Sequence, residues 1–534
     1  MLEVRLPQSW LDELAPVIAQ LVADQVASRI TQKDFTLWGK AAEAESSIRL
    51  GWVESPTLSA PLVDEINDLA KELVAQGVTR VVLCGMGGSS LAPEVITKKF
   101  GIKIDVLDST DPEQVSQVVF RDLAKTVVVV SSKSGSTVET DSQKRIFEKA
   151  FTDAGINPLE RIVIVTDPGS PMEEAAKQAG YRIFNADPNV GGRYSALTAF
   201  GLVPSGLAGV DISKLLQDAA ESLNQLSKDD AANPGLILGA VLARSKKEAG
   251  YKDKVGIISD QATLPDFADW AEQLIAESTG KEEKGILPLV INSSSFEAQA
   301  KLEDVVLVTV SENSQFLSTT DILVSGNLAE QFMLWEYATA VASRIIDVNP
   351  FDQPDVESAK VAARGMLAEK SKASTWLFEN EGISVNGLNL TIDSVSSVEN
   401  ALAALLSEIG PDSYLSVQAY LNREADLPVD LLREALAKHS SRPVTLGWGP
   451  RFLHSTGQYH KGGPRIGVFL QLTTENESDL AVPGRDFSFG ELIASQAAGD
   501  AKVLADLGRP VLTLRLSSPK ADLVKLSQMI EGMK

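Results

Sequence analysis

The chain has 534 residues, 44% apolar and 23% charged, too many for one hydrophobic core, so roughly two to four domains are expected. A formal net charge of −23 excludes a general binder of nucleic acid or of anionic membrane, because phosphate-bearing surfaces repel it, yet local basic residues and backbone dipoles leave room for a small anionic ligand. One cysteine, Cys84, and three histidines exclude an internal disulfide and argue against a His/Cys metal site, with no Cys-x-x-Cys or His-Glu-x-x-His spacing present.

No charged-then-apolar leader opens the chain, and no apolar run approaches the about 20 residues of a spanning helix, which predicts a soluble cytoplasmic protein. Residues 1–50 read as a helical entry segment across the first domain, with Leu11, Leu14, Val17, Ile18 and Leu21 at helical spacing. From there strands and helices alternate: helix 62–76, strand 80–84, helix 92–100, strand 103–107, helix 112–119, strand 126–130, helix 137–150, strand 161–166, helix 172–179 and strand 181–185. A second unit follows, with helices 212–225 and 234–250, strand 255–259, helix 265–278, strands 288–292 and 305–310, and helix 328–348. The third section repeats this grammar in strands 384–392, 413–420, 443–448, 467–472 and 510–516 and in helices such as 397–409 and 429–439. Buried β-branched strands alternating with helices predict parallel sheets covered on both faces. The expected division is a helical segment 1–50, α/β units 51–207 and 208–360, and a C-terminal α/β section 361–534.

The stretch from Val127 to Asp141, VVVVSSKSGSTVETD, runs from a buried-looking strand through a hydroxyl-rich loop into a helix and reads as an anion cradle. Ser131, Ser132, Ser134, Ser136 and Thr137 offer hydroxyl donors, Lys133 a charge, and Gly135 close backbone approach. The helix start would aim unpaired N–H groups at the same place. After strand 80–84 comes GMGGSSLAPEV, which fits neither the P-loop, lacking its Gly-Lys-Ser/Thr ending, nor the dinucleotide fingerprint, with Ser90 where a glycine belongs. It reads either as a tight turn that packs the helix on the sheet or as a second phosphate loop at the carboxyl ends of adjacent strands.

Two such cradles in one sheet resemble the sugar isomerase fold. Five stretches, GMGGSSLAPEV, SSKSGSTVET, VGGRYSALTAFGL, WAEQLIAESTGK and NPFDQPDVESAK, together resemble the phosphoglucose isomerase family over about residues 60–365. GPRFLHSTGQYHKGGP is similar to the isomerase portion of chains fused to transaldolase, although no transaldolase-length barrel precedes it. The resemblance implies two doubly wound parallel-sheet sugar isomerase (SIS) domains, three-layer α/β/α, with an additional C-terminal α/β section. It also implies a small-molecule sugar phosphate as ligand, no redox cofactor or metal, and a homodimer, with the histidine loop supplied either by the same chain or by the partner.

The resemblance further assigns Ser89, Ser132, Lys133, Ser134 and Thr137 to the sugar phosphate, with Gly87, Gly88, Gly192 and Gln273 lining the substrate. Ordinary turn chemistry is the alternative for each serine. Glu277 is the implied base between C2 and C1, sharing a helical stripe with Gln273; the acidic neighbours Glu272, Glu282 and Glu283 would equally suit a solvated face. Arg193 is implied beside the enediolate, its alternative being a structural ion pair, and Lys360 beside the ring oxygen and O1, its alternative being a surface lysine. No histidine lies between Glu277 and Lys360, where ordinary members carry the one that opens the ring. His460, after Thr456, Gly457 and Gln458, is the first choice for a displaced counterpart, His454 the second, and His439 a helix-end dipole partner. The expected activity is the interconversion of glucose 6-phosphate and fructose 6-phosphate. The rivals are an enzyme that also accepts mannose 6-phosphate and a non-catalytic sugar-phosphate-binding regulator.

Overall fold

The structure, a computed structural model, describes residues 2–243, 253–316, 322–368, 376–392, 395–475 and 478–533, and the side chains of residues 357–360, 363 and 368 lie outside that description. Three sheets organise it. The first runs Asp105–Leu107, Arg80–Gly85, Thr126–Ser131, Ile162–Thr166, Arg182–Asn185, all parallel. Alternate residues of its central strands serve different cores: Leu83, Val127 and Val129 join a large cluster continuous with the second sheet, while Val82, Val128 and Val130 face the helix Val138–Asp153. Burial on both faces explains the unbroken valine run, since neither face can accept a polar residue.

The second sheet runs Glu3–Arg5, Ile322–Ser325, Val305–Ser311, Lys254–Ser259, Leu287–Ile291. Four of these strands are parallel; the N-terminal one is antiparallel. The entry segment thus opens on a short strand that a helical reading of residues 1–50 did not anticipate, before the helices Gln8–Ala23, Val26–Thr31 and Glu43–Ser46, and it packs chiefly elsewhere than across the first unit. Ile322–Ser325 is buried throughout and would otherwise end the sheet with unpaired backbone groups, which Glu3–Arg5 cover. Pro7, extended at φ −60° and ψ 149°, then turns the chain into the helix Gln8–Ala23. That helix packs on Pro234–Leu242, and Trp38 donates its indole N–H to the Ala340 carbonyl at 2.9 Å, so the entry segment is bound chiefly to the second unit. The helix expected over 234–250 is described as far as Leu242, and residues 244–252 lie outside the described residues.

The third sheet runs Phe378–Asn380, Ile383–Leu388, Val511–Leu516, Gly467–Thr474, Tyr414–Ala419, Val444–Trp448. The last four are parallel, and the first two form an antiparallel edge that the uniform α/β pattern did not anticipate. It has its own core of Leu415, Val417, Leu470, Leu512 and Leu514, and its other face shares Tyr414 and Phe469 with Leu287 and Leu289 of the second sheet. Among the described residues no helix is long and apolar enough to cross a membrane.

Candidate active site

In the first sheet the chain steps from Arg80–Gly85 outward to Asp105–Leu107 and then back past it to Thr126–Ser131. Strand order therefore reverses between Gly85 and Ser131, which pair directly. Crevices at such reversals, beyond the carboxyl ends of the strands, are where open α/β sheets bind ligands. Both loops singled out in the sequence emerge there.

The serine loop is held from one side and open on the other. Ser132 is buried, its N–H bonded to the Val165 carbonyl and its carbonyl to the Thr166 hydroxyl, while its own hydroxyl lies 3.0 Å from Thr137 Oγ1. Gly135 has φ +66°, and a Cβ there would stand 2.9 Å from Met172, so glycine is required on both counts. Ser134 and Ser136 are exposed and bonded to one another. Thr137 precedes Val138–Asp153 without capping it, leaving the helix N–H groups directed into the loop. Lys133 is ion-paired with Asp167. Burial pushes its ammonium below the ordinary lysine range against the pull of Asp167, so its charge reaches the crevice partly compensated.

The glycine turn packs against the segments that carry Gln273, Arg193 and His454. Ser89, almost fully buried, ends the short turn Gly87–Ser89. A Cβ on Gly87 would meet the His454 carbonyl at 2.4 Å and Gln273 Nε2 at 2.9 Å; one on Gly88 would meet the Gly192 carbonyl at 2.1 Å. Three elements from three sheets thus converge where only a hydrogen fits. Gly88→Ala is expected to separate the turn from Gly192 and Arg193, lowering stability by about 1–3 kcal/mol through overpacking and weakening sugar-phosphate binding. Urea denaturation and calorimetric titration check both.

The helix Phe267–Thr279 brings Gln273 and Glu277 to this junction. Gln273 Nε2 donates to Glu277 Oε2 at 3.0 Å and to the His454 carbonyl at 2.9 Å, and its Oε1 is buried without a partner among the described residues. Glu277 Oε1 lies 3.2 Å from Arg193 Nη1. Arg193, 2% exposed, also donates to Ser278 Oγ (2.8 Å), to Gln353 Oε1 (3.0 Å) and to the carbonyls of Pro350 (2.6 Å) and Asp352 (3.0 Å). It is a fixed charge, and it ties the NPFDQPDVESAK segment to the glutamate. Lys281, buried and pushed down to about 8 mainly by desolvation, holds the carbonyls of Asn349 and Asp352 at 2.6 Å each. The helix Val356–Ala368 begins just beyond; the side chain of Lys360 lies outside the described residues.

The two candidate histidines part company. His454, in the turn Arg451–His454, places Nε2 3.0 Å from Glu139 Oε1 in the first turn of Val138–Asp153. His460 is 2% exposed within the third unit, stacked on Tyr414 at 5.7 Å and sharing a 2.9 Å hydrogen bond between Nδ1 and the Tyr414 hydroxyl. Burial, with Lys461 and Arg509 adding to it, pushes its imidazole far below the usual histidine range. It sits in the aromatic core of the third unit, away from the glycine turn, and geometry therefore favours His454 of the two. The helix Gly457–Gly462 explains why: its inward face carries Gln458 and Tyr459 onto Gly280, and His460 follows them inside.

Several residues that hold the histidine turn carried no signal in the spacing of motifs. Arg451 bonds Asp108 at 2.8 Å and Glu94 at 2.7 Å in the first unit, and Arg423 reaches Glu94 at 3.2 Å. Burial alone would raise Glu94, but Arg451, Arg423 and Lys98 together hold it well below the carboxylate range. Gln458 donates to the Gly280 carbonyl at 2.8 Å and to Asp355 at 2.7 Å. Glu139 stood inside the quoted SSKSGSTVET, where an acid in the first turn of a helix adjoining a cradle was a readable hint.

Paired loops at the reversal of one doubly wound sheet, with a helix of a second presenting Gln273 and Glu277 to them, define an α/β fold of the sugar isomerase (SIS) type. Solved structures agree on the fold. A hypothetical protein of Thermus thermophilus superposes with a TM-score of 0.57 at 23% identity, covering 69% of this chain and 100% of its own, and a glucose-6-phosphate isomerase from Chlamydia trachomatis does so with 0.52 at 19%, covering 68% and 86%. The family model for phosphoglucose isomerase matches residues 67–289. The chain is 30% identical over 353 residues to a glucose-6-phosphate isomerase of Methanocaldococcus jannaschii, covering 65% of this chain and 79% of that one. It is also 30% identical over 309 residues to one of Cyanothece sp., covering 52% of this chain but only 56% of that relative's length. The chain belongs to the phosphoglucose isomerase family.

Proposed function

We propose that the chain interconverts glucose 6-phosphate and fructose 6-phosphate, the aldose–ketose step shared by glycolysis and gluconeogenesis. The observation that carries this reading is the joined set Arg193–Glu277–Gln273–His454, set against the glycine turn that leads to the serine cradle. The cradle and Ser89 take the phosphate through hydroxyls and helix N–H groups. His454 moves a proton between the ring oxygen and the O1 hydroxyl, opening the ring without net consumption of acid or base. Glu277 removes the C2 proton, leaving a cis-enediolate, and returns it to C1. Arg193, already immobilised by its other bonds, steadies the oxygen charge that develops between those steps. The transfer is internal and redox-neutral, so it calls for no external electron carrier. Lys360 is assigned to the ring oxygen and O1 by family resemblance, as are a homodimeric state and a cytoplasmic location.

The test is direct. Purified protein supplied with fructose 6-phosphate, with glucose 6-phosphate drawn off by a coupled NADP-dependent dehydrogenase, is expected to turn over at a rate that rises linearly with protein. No absorbance change with active coupling enzyme overturns the reading.

A further inference from the structure

The helix Phe489–Asp506 belongs to the third unit, yet it reaches into the first. Its Gln496, 3% exposed, donates from Nε2 to Glu139 Oε1 at 2.7 Å, and its Oε1 accepts from the Thr110 hydroxyl at 2.6 Å. The amide can face only one way. A carboxylate accepts and never donates, so the NH₂ must turn to Glu139, and the carbonyl left over meets a hydroxyl able to donate to it. The helix itself is clamped at both ends of this contact. Ser488 and Glu491 form a capping box at its start, and Asp500, one turn beyond Gln496, pairs with Lys461 at 2.6 Å, both side chains essentially fully buried.

Glu139 Oε1 is thus shared by two donors, Gln496 Nε2 and His454 Nε2. We propose that Gln496 is a positioning residue for ring opening: it fixes the Glu139 carboxylate so that His454 keeps its proton on Nε2 and leaves Nδ1 to exchange with the sugar. This rests on the reading of His454 as the ring opener. Thr110 completes the relay by fixing the amide. The third unit therefore supplies both the histidine and, from a separate helix, the group that orients the histidine's carboxylate.

Gln496→Leu, which keeps the bulk and removes the donor, is expected to lower kcat on fructose 6-phosphate by about tenfold or more, a share of what general acid–base catalysis contributes, with KM within about twofold. Erythrose 4-phosphate is too short to close a ring. Solvent deuterium exchange at its C2, which needs Glu277 but no ring opening, should be unchanged. Gln496→Glu keeps the shape: at low pH its protonated carboxyl still donates to Glu139, and as pH rises two carboxylates face each other and the bond is lost. Its activity relative to the parent should fall with pH, whereas the ratio for Gln496→Leu stays flat. In a His454→Asn background either change should cost nothing more. An equal loss on erythrose 4-phosphate, an added loss in that background, or full activity of both variants overturns the role of Gln496 while leaving His454 in place. If His454→Asn alone spares fructose 6-phosphate, the underlying reading fails, and Gln496 with it.

Discussion

Glu277→Gln is expected to lower kcat for fructose 6-phosphate by roughly 10²–10⁴-fold, the span general base catalysis supplies, while affinity for the non-isomerisable sorbitol 6-phosphate stays within about twofold. Glutamine keeps the side chain's shape and one acceptor oxygen but cannot take a proton from carbon. The framework should survive the change, because Arg193 remains bonded to Ser278, Gln353 and the carbonyls of Pro350 and Asp352, and the serine cradle lies on another sheet. Calorimetry with sorbitol 6-phosphate and the coupled assay separate binding from chemistry. Activity within tenfold of the parent would remove Glu277 from the role of base.

The second large effect divides the histidines. His454→Asn should depress turnover of cyclic fructose 6-phosphate by about 10²-fold or more and spare deuterium exchange at C2 of erythrose 4-phosphate, because only the ring-opening proton transfer is lost. His460→Asn should do the opposite. It breaks the hydrogen bond to the Tyr414 hydroxyl inside a packed aromatic group, costing about 1–3 kcal/mol of stability, seen as a lower urea midpoint, with kcat per folded chain nearly unchanged. A His460→Asn protein that is stable yet slow on cyclic sugar alone would restore the other assignment.

Much of the fold was legible because parallel strands buried on both faces leave an unmistakable record, as in the valine run before Ser131. The N-terminal strand was not, because Glu3–Arg5 is three residues long and its pairing is settled by the uncovered edge at Ile322–Ser325, more than 300 positions away. The antiparallel edge of the third sheet was hidden for the same reason: pairing direction belongs to topology, and Ile383–Leu388 has the composition of any strand. Within the site, motifs located the cradle, Arg193 and the helix of Glu277, since each depends on a local spacing. The histidines lie six residues apart with equally suitable neighbours, and only packing distinguishes the one that meets Glu139 from the one that meets Tyr414. Gln496 had no local signature, being an ordinary glutamine on an amphipathic helix whose importance comes from the carboxylate it reaches in another unit.

The turn Arg451–His454 is bolted to Asp108 and Glu94 of its own chain, and His454 meets a carboxylate of that chain as well. The helix of Glu277, the serine loop and His454 are therefore brought together from one polypeptide. Mixing chains that carry Glu277→Gln with chains that carry His454→Asn is expected to restore no activity, since neither would complete the other's site.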